Sequence, residues 1–194
     1  MEQQTWARAV REMWRTAARH KFASGLIAVC VAASLVAIAL VASGPGAPAG
    51  ATADPAAPAF SLPVLGQPGQ KVSLGDYAGR PLIVNFFASW CEPCQKETPL
   101  LATFYRTEHG KVAIVGLDEN DVPGSAASFT HKEGVSYPVG FDPGVSAASA
   151  YGVAALPQTF FLDARHRIVD RVFGAVTLAD INRGIALATG ATRS

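Results

Sequence analysis

The most informative stretch of the sequence is LIVNFFASWCEPC, residues 82–94. Residues 82–87 are almost wholly apolar, which is typical of a β-strand covered on both faces. Cys91 and Cys94 follow directly, at the predicted start of a helix that runs to about His109. A strand that leads straight into two thiols on a first helical turn indicates a redox site carried by an α/β domain.

The segments around this stretch alternate between strand and helix patterns. Apolar runs predict three further strands, at 112–117, 159–162 and 168–173. Apolar residues at helical spacing and helix boundary signals predict helices at 124–133, 146–151 and 178–188. Two alternating segments around turn residues, 60–62 and 71–74, predict a leading hairpin. This order predicts an α/β domain with a central mixed sheet flanked by helices.

The chain before this domain has the composition of a membrane anchor. Residues 1–21 carry five basic residues of the Arg and Lys type against two acids, and 22–43 contain no charge. About 20 apolar helical residues are enough to cross a bilayer. Because basic residues precede the span, we expect a cytoplasmic 1–21 segment, one transmembrane helix and a C-terminal part outside the cytoplasm of a bacterium, at its inner or plasma membrane. A cleaved signal peptide is the alternative, with small residues at 47–49.

Composition and charge indicate where the folded domain begins and which classes of partner are excluded. Residues 44–59 are rich in Gly, Ala and Pro, which predicts an extended spacer before a folded domain at 60–194. The net charge of +1 provides no basic field for a phosphate backbone, so nucleic acid is not a predicted partner. The acidic segment 118–121 could hold a cation, and a solvated loop flanking the active site is the other interpretation.

The cysteine pair has the spacing of a redox-active dithiol. Two thiols three positions apart on a helical turn can close a disulfide with little backbone movement. The helix N-terminus favours a thiolate at Cys91, so we expect an exposed, attacking Cys91 and a buried, resolving Cys94. A structural disulfide and half of a zinc site are the alternatives. No second cysteine pair or histidine cluster completes a zinc site, and we predict neither metal nor cofactor.

The residues around this pair resemble a known family. NFFASWCEPC at 85–94, followed by ETP at 97–99, is similar to the signature of the membrane-anchored, extracytoplasmic oxidoreductases of the TlpA, ResA and DsbE (CcmG) type. A second match, LPQTFFLD at 156–163, corresponds to the cis-proline of these proteins and the strand after it. The resemblance runs from about residue 60 to the C-terminus. It implies a thioredoxin fold with an N-terminal β-hairpin extension, preceded by one transmembrane helix.

The resemblance also implies where substrate binds. Pro157 corresponds to the cis-proline, against which a substrate chain pairs like an added strand. An ordinary trans proline in a turn is the alternative. Trp90, Pro93 and Leu156 are the further residues expected to contact substrate. For Trp90, aromatic packing explains the residue equally well.

A third catalytic residue is implied at Glu97, one helical turn after Cys94. The matching glutamate of the family lies near the thiols, where its charge would raise their pKa and where it could pass protons to Cys94. An exposed helix acid is the alternative. Thioredoxins proper carry a buried acid at the position of Asn85, so the departure here leaves Glu97 as the better proton carrier.

Two further departures bear on the direction of the reaction and on the substrate. No histidine lies between the cysteines, so the thiolate stabilisation of strongly oxidising enzymes is not expected and reduction is favoured. Gln158 replaces an acid that many cytochrome-maturation members carry, which puts that narrower assignment in doubt.

The expected function is therefore an exported reductase of protein disulfides. Its substrates could include apocytochrome c, and its electrons would come from a membrane reductase of the DsbD/CcdA type. A disulfide-forming oxidase or isomerase, and a non-enzymatic anchored binding module, are the two alternatives.

Overall fold

The computed structural model describes residues 54–108 and 112–191. The described residues form seven strands: β1 (Ser61–Pro63), β2 (Lys71–Ser73), β3 (Leu82–Phe87), β4 (Ala113–Glu119), β5 (Val139–Asp142), β6 (Gln158–Leu162) and β7 (Ile168–Phe173). They also form a 3-10 helix (Leu74–Tyr77) and four α-helices: α1 (Glu92–Thr107), α2 (Pro123–Lys132), α3 (Ser146–Tyr151) and α4 (Leu178–Thr189). The predicted segments 1–21 and 22–43 and most of the predicted spacer lie outside the described residues.

The main sheet has the strand order β5-β4-β3-β6-β7. β3 lies at its centre, parallel to β4 and antiparallel to β6, while β5 runs parallel to β4 and β7 antiparallel to β6. The sheet is therefore mixed and flanked by helices, which confirms the predicted thioredoxin fold. β1 and β2 pair antiparallel in a separate hairpin, with Ser61 opposite Ser73.

Every residue of β3 is buried because the strand is covered on both faces. Alternate residues of a strand point to opposite faces, so each face of β3 contributes to its own core. Val84 and Phe86 pack with residues of the hairpin, α3 and β6. Ile83 and Phe87 pack on the other face, which is covered by α1 and α4. The apolar run that predicts this strand is thus the hydrophobic centre of the domain.

Two elements were not predicted. β5 is a strand of four residues, VGFD, whose Gly and Asp disfavour strands in isolation. The hairpin packs closely on it at Gly140, where an added Cβ would lie 3.1 Å from the hairpin side chains of Leu62 and Val72 and 3.1 Å from Leu117 of β4. The other unpredicted element is the 3-10 helix. The strand predicted at 71–74 ends at Ser73, because Leu74 begins this helix.

Residues 54–57, which precede the predicted domain boundary at residue 60, already pack against the domain. The backbone oxygen of Asp54 accepts a hydrogen bond of 2.6 Å from the Arg167 guanidinium. The backbone oxygen of Pro55 accepts the Ile168 N–H at 2.9 Å, and the Ala57 N–H donates to the backbone oxygen of His166 at 2.8 Å. Residues 54–57 therefore lie against the turn between β6 and β7. Within 54–108 and 112–191, no helix combines the length and hydropathy that crossing a membrane requires.

Candidate redox site

Cys91 and Cys94 form a disulfide whose Cα atoms lie 5.2 Å apart. Cys91 is the N-cap of α1, and its sulfur accepts the backbone N–H of Cys94 at 3.3 Å. Cys94 is fully buried and Cys91 is 5% exposed. Cys91 is thus the more accessible of the two cysteines, as expected. The prediction of an exposed Cys91 is wrong, because this residue is nearly buried.

The start of α1 suits a reactive thiol. A helix N-terminus carries unpaired N–H groups and partial positive charge, which stabilise a thiolate. Pro93 occupies the first turn, where its missing N–H breaks no helical bond. In the reduced protein, the Cys94 N–H that now faces the Cys91 sulfur is placed to stabilise a thiolate there.

Glu97 lies on the inner face of α1 and is only 2% exposed. One carboxylate oxygen accepts from the Asn85 side-chain amide at 2.8 Å, and the other accepts from Val176 N–H at 2.7 Å. Burial raises the pKa of Glu97 to about 7, against the opposing effect of these two hydrogen bonds. The alternative of an exposed helix acid is therefore wrong, because α1 turns this position toward the sheet together with Cys94.

Asn85 connects Glu97 to the sheet. Its amide nitrogen, on β3, donates to Glu97 and also to the Thr159 hydroxyl of β6 at 3.0 Å. The sequence indicates only that a buried acid is missing at this position. The structure shows that the amide which replaces it holds the buried carboxylate of Glu97 in place.

The predicted substrate-contacting residues differ in exposure. The Leu156–Pro157 bond is cis, which confirms that prediction and excludes an ordinary trans proline. Pro157 is buried, Leu156 is half-buried, and Trp90 and Pro93 are exposed. The Trp90 indole N–H donates to a backbone oxygen of the acidic segment, at Asn120, over 3.1 Å. Trp90 is therefore held at the surface beside the disulfide rather than packed in the core.

The acidic segment 118–121 lies against the redox site. Asp121 accepts the Ser89 N–H at 2.6 Å, two residues before Cys91. Asp118 is fully buried, so this part of the segment is not a solvated loop. No group of three potential metal ligands occurs among the described residues. Sequence reasoning named Asp118 only as part of the acidic segment 118–121, although its position at the end of the apolar β4 run is a signal for burial.

Comparison with known proteins agrees with this geometry. Residues 53–171 match the AhpC/TSA family. The chain is 33% identical over 110 residues to the thiol-disulfide oxidoreductase ResA of Bacillus anthracis. The aligned region covers 56% of this chain and 64% of that protein. The chain therefore spans less than two thirds of this relative. The ResA of Geobacillus thermodenitrificans is 30% identical over 128 residues, 66% of this chain and 72% of that protein.

A solved structure shows the same fold. A thiol:disulfide interchange protein of the thioredoxin family from Chlorobium tepidum TLS superimposes with a TM-score of 0.63. It is 27% identical, and the match covers 72% of this chain and 99% of that protein. The chain thus belongs to the AhpC/TSA family, within which its thioredoxin-like domain is of the TlpA/ResA/DsbE type of thiol-disulfide oxidoreductase.

Proposed function

We propose that this protein is a membrane-anchored reductase of protein disulfides that works on the extracytoplasmic side by exchange at Cys91 and Cys94. The observation that carries the proposal is the placement of a cysteine pair at the start of α1 with a buried acid, Glu97, one turn below it. The membrane anchor and the location are supported by the basic 1–21 segment and the uncharged 22–43 run.

The reaction begins from the dithiol form. The Cys91 thiolate attacks one sulfur of a substrate disulfide, which forms a mixed disulfide and releases the other substrate sulfur as a thiolate. Cys94 then loses its proton and attacks the Cys91 sulfur. This step closes the internal disulfide, releases the second substrate thiolate and completes the transfer of two electrons to the substrate.

Glu97 is suited to manage the protons of this sequence. A general base works best with a pKa near the ambient pH, and burial brings the pKa of Glu97 to about 7. Glu97 can therefore accept the proton of Cys94 during the second attack and return one to a departing thiolate. The Asn85 and Val176 hydrogen bonds hold the carboxylate in one orientation while it does so.

The reducing direction rests on the residues between the cysteines. Glu92 and Pro93 offer no histidine to stabilise a thiolate, so the disulfide is comparatively stable and the couple comparatively reducing. A reductase must be recharged, and a membrane protein of the DsbD/CcdA type is the class of donor that could supply two electrons outside the cytoplasm. Haem-attachment cysteines of apocytochrome c are a candidate substrate class.

The unequal roles of the cysteines can be tested in the full chain with Cys30 replaced by Ser, so that only the pair reacts. Cys94→Ser should accumulate mixed disulfides in cells because nothing resolves them, whereas Cys91→Ser should form none. Non-reducing gels and mass spectrometry of the trapped species give the measurement and identify the substrates. Faster alkylation of Cys94 than of Cys91 in the reduced protein would reverse the assignment.

The direction needs a separate measurement. Equilibration of the protein against glutathione, followed by thiol titration, gives its reduction potential. We expect a value nearer to thioredoxin, at about −270 mV, than to DsbA, at about −120 mV. A potential close to that of DsbA would replace the reductase with a disulfide-forming oxidase.

A further inference from the structure

Asp118 is a second buried acid on the cysteine side of the sheet. Gly116, two residues earlier on β4, faces Phe87 and Tyr137, which belong to the core that also contains both cysteines. Since strand residues two apart share a face, the Asp118 side chain points to that same side. Asp118 also pairs in register with Phe87, the last residue of β3, from which the chain continues to Cys91.

Among the described residues, the side chain with the largest effect on the Asp118 carboxyl is another acid, Asp121. Neither carboxyl oxygen of Asp118 receives a hydrogen bond from any donor among the described residues. The Asp121 carboxyl lies within hydrogen-bonding reach. It already accepts the N–H groups of Ser89 and Val122, each at 2.6 Å. Two carboxyl groups can bond only when one of them carries a proton. Both oxygens of Asp121 already accept N–H groups, whereas neither oxygen of Asp118 receives one, so the proton is assigned to Asp118.

The surroundings of Asp118 keep this proton in place. Burial raises the pKa of Asp118 to about 8, with the charges of Asp121 and Glu119 as further causes. From β5, Asp142 acts on Glu119, and its own oxygens accept the N–H groups at the start of α3. No basic side chain of the described part of the chain contributes to the pKa of Asp118.

We propose that protonated Asp118 is a positioning residue of the redox site, which donates a hydrogen bond to Asp121 and so holds Ser89 and the segment leading to Cys91. This role rests on the proposed exchange reaction at Cys91. Ionisation of Asp118 would place two carboxylates side by side, weaken the Asp121 bond to Ser89 and add negative charge on the cysteine side of the sheet. Each of these changes disfavours the Cys91 thiolate.

The expected signature is a pH profile that ordinary thiol chemistry does not give. An alkylating reagent such as iodoacetamide reacts with the thiolate, so the rate for a simple thiol rises with pH and then levels off. For the reduced full chain carrying Cys30→Ser, we expect the Cys91 rate to rise more shallowly than this as Asp118 ionises, because the added negative charge raises the pKa of the Cys91 thiol. Asp118→Asn keeps a donor for Asp121 without a titrating proton, so it should match the parent within about twofold near pH 6 and exceed it several-fold between about pH 8 and 9, before both rates level off.

Two controls accompany this measurement. Asp118→Ala, which lacks the donor, should react more slowly than Asp118→Asn across the whole range while keeping a native near-ultraviolet circular dichroism spectrum. Glu133→Gln, which removes a carboxylate at the end of α2, should follow the parent at every pH. Parallel profiles for the parent and Asp118→Asn would overturn the proposal.

Infrared spectroscopy detects the proton on Asp118 directly, so it tests the role of Asp118 independently of the proposed function. The infrared C=O band of a protonated carboxyl group should persist in the parent above neutral pH and be lost in Asp118→Asn. The band from protonated Glu97 disappears at a lower pH than the band from Asp118, and Glu97→Gln removes it. The absence of an Asp118-dependent band near pH 6 would overturn the role of Asp118. If the band and the Cys91 profile are as expected but no protein disulfide is reduced, the proposed function fails and the role of Asp118 stands.

Discussion

At the scale of single residues, the buried carboxyl of Glu97 is the group that tunes the thiols. A carboxylate beside a thiol disfavours a second negative charge, so ionised Glu97 raises the pKa of the neighbouring thiols and makes the couple more reducing. Because burial raises the pKa of Glu97 to about 7, this effect is absent in acid and develops as the pH rises through neutrality.

We therefore expect Glu97→Gln to raise the reduction potential, with the difference from the parent growing above about pH 7. The variant should also exchange disulfides about 10-fold or more slowly if Glu97 carries the proton of Cys94. Glutathione equilibration at several pH values and stopped-flow exchange kinetics measure the two effects. Glu108→Gln, at the far end of α1, is the matched control and should change neither. Equal thiol pKa values in Glu97→Gln and the parent would leave Glu97 with a purely structural role.

At the scale of elements, the contact between α4 and β6 depends on a glycine. A Cβ built on Gly184 would lie 2.3 Å from the ring of Phe161, which is fully buried. Gly184→Ala should therefore destabilise the fold by about 1 to 3 kcal/mol through overpacking, although alanine favours a helix. Gly124→Ala in α2, where nothing lies within 4 Å of the added Cβ, should be neutral or stabilising by up to about 1 kcal/mol. Urea unfolding of both variants measures this, and equal effects would contradict the packing argument.

At the scale of the whole molecule, the charge pattern of the N-terminal part predicts the orientation of the domain. Basic residues in 1–21 should keep that segment in the cytoplasm, while the chain after 22–43 lies on the other side. A reporter fused after Ser194 should work only if it is of a kind that is active outside the cytoplasm. A reporter fused after Lys21 should work only if it is of a kind that is active inside the cytoplasm. Activity of a cytoplasm-dependent reporter after Ser194 would contradict this topology. A mature chain starting near Gly50 would indicate cleavage instead of anchoring.

The whole molecule also shows which features local sequence determines. The bounds of β3, β7 and α3 match the predicted ones because hydrophobic period and turn residues act over a few positions. The start of α1 and the cysteine pair follow from the same local rules, since helix capping and disulfide closure involve neighbouring residues. The cis bond before Pro157 was predicted from the family motif rather than from any local physical rule.

Contacts between distant parts of the chain decided the rest. Glu97 is buried because Asn85 and Val176, 12 and 79 residues away, meet its carboxylate. Asp118 shares its proton only because the segment after β4 folds back on Ser89, and the hairpin packs closely on the weak strand β5. The family motif implied that Glu97 lies near the thiols, but no local pattern in the sequence marks either acid as buried. Their pKa values rise only when packing removes water from them, and that depends on the assembled tertiary structure.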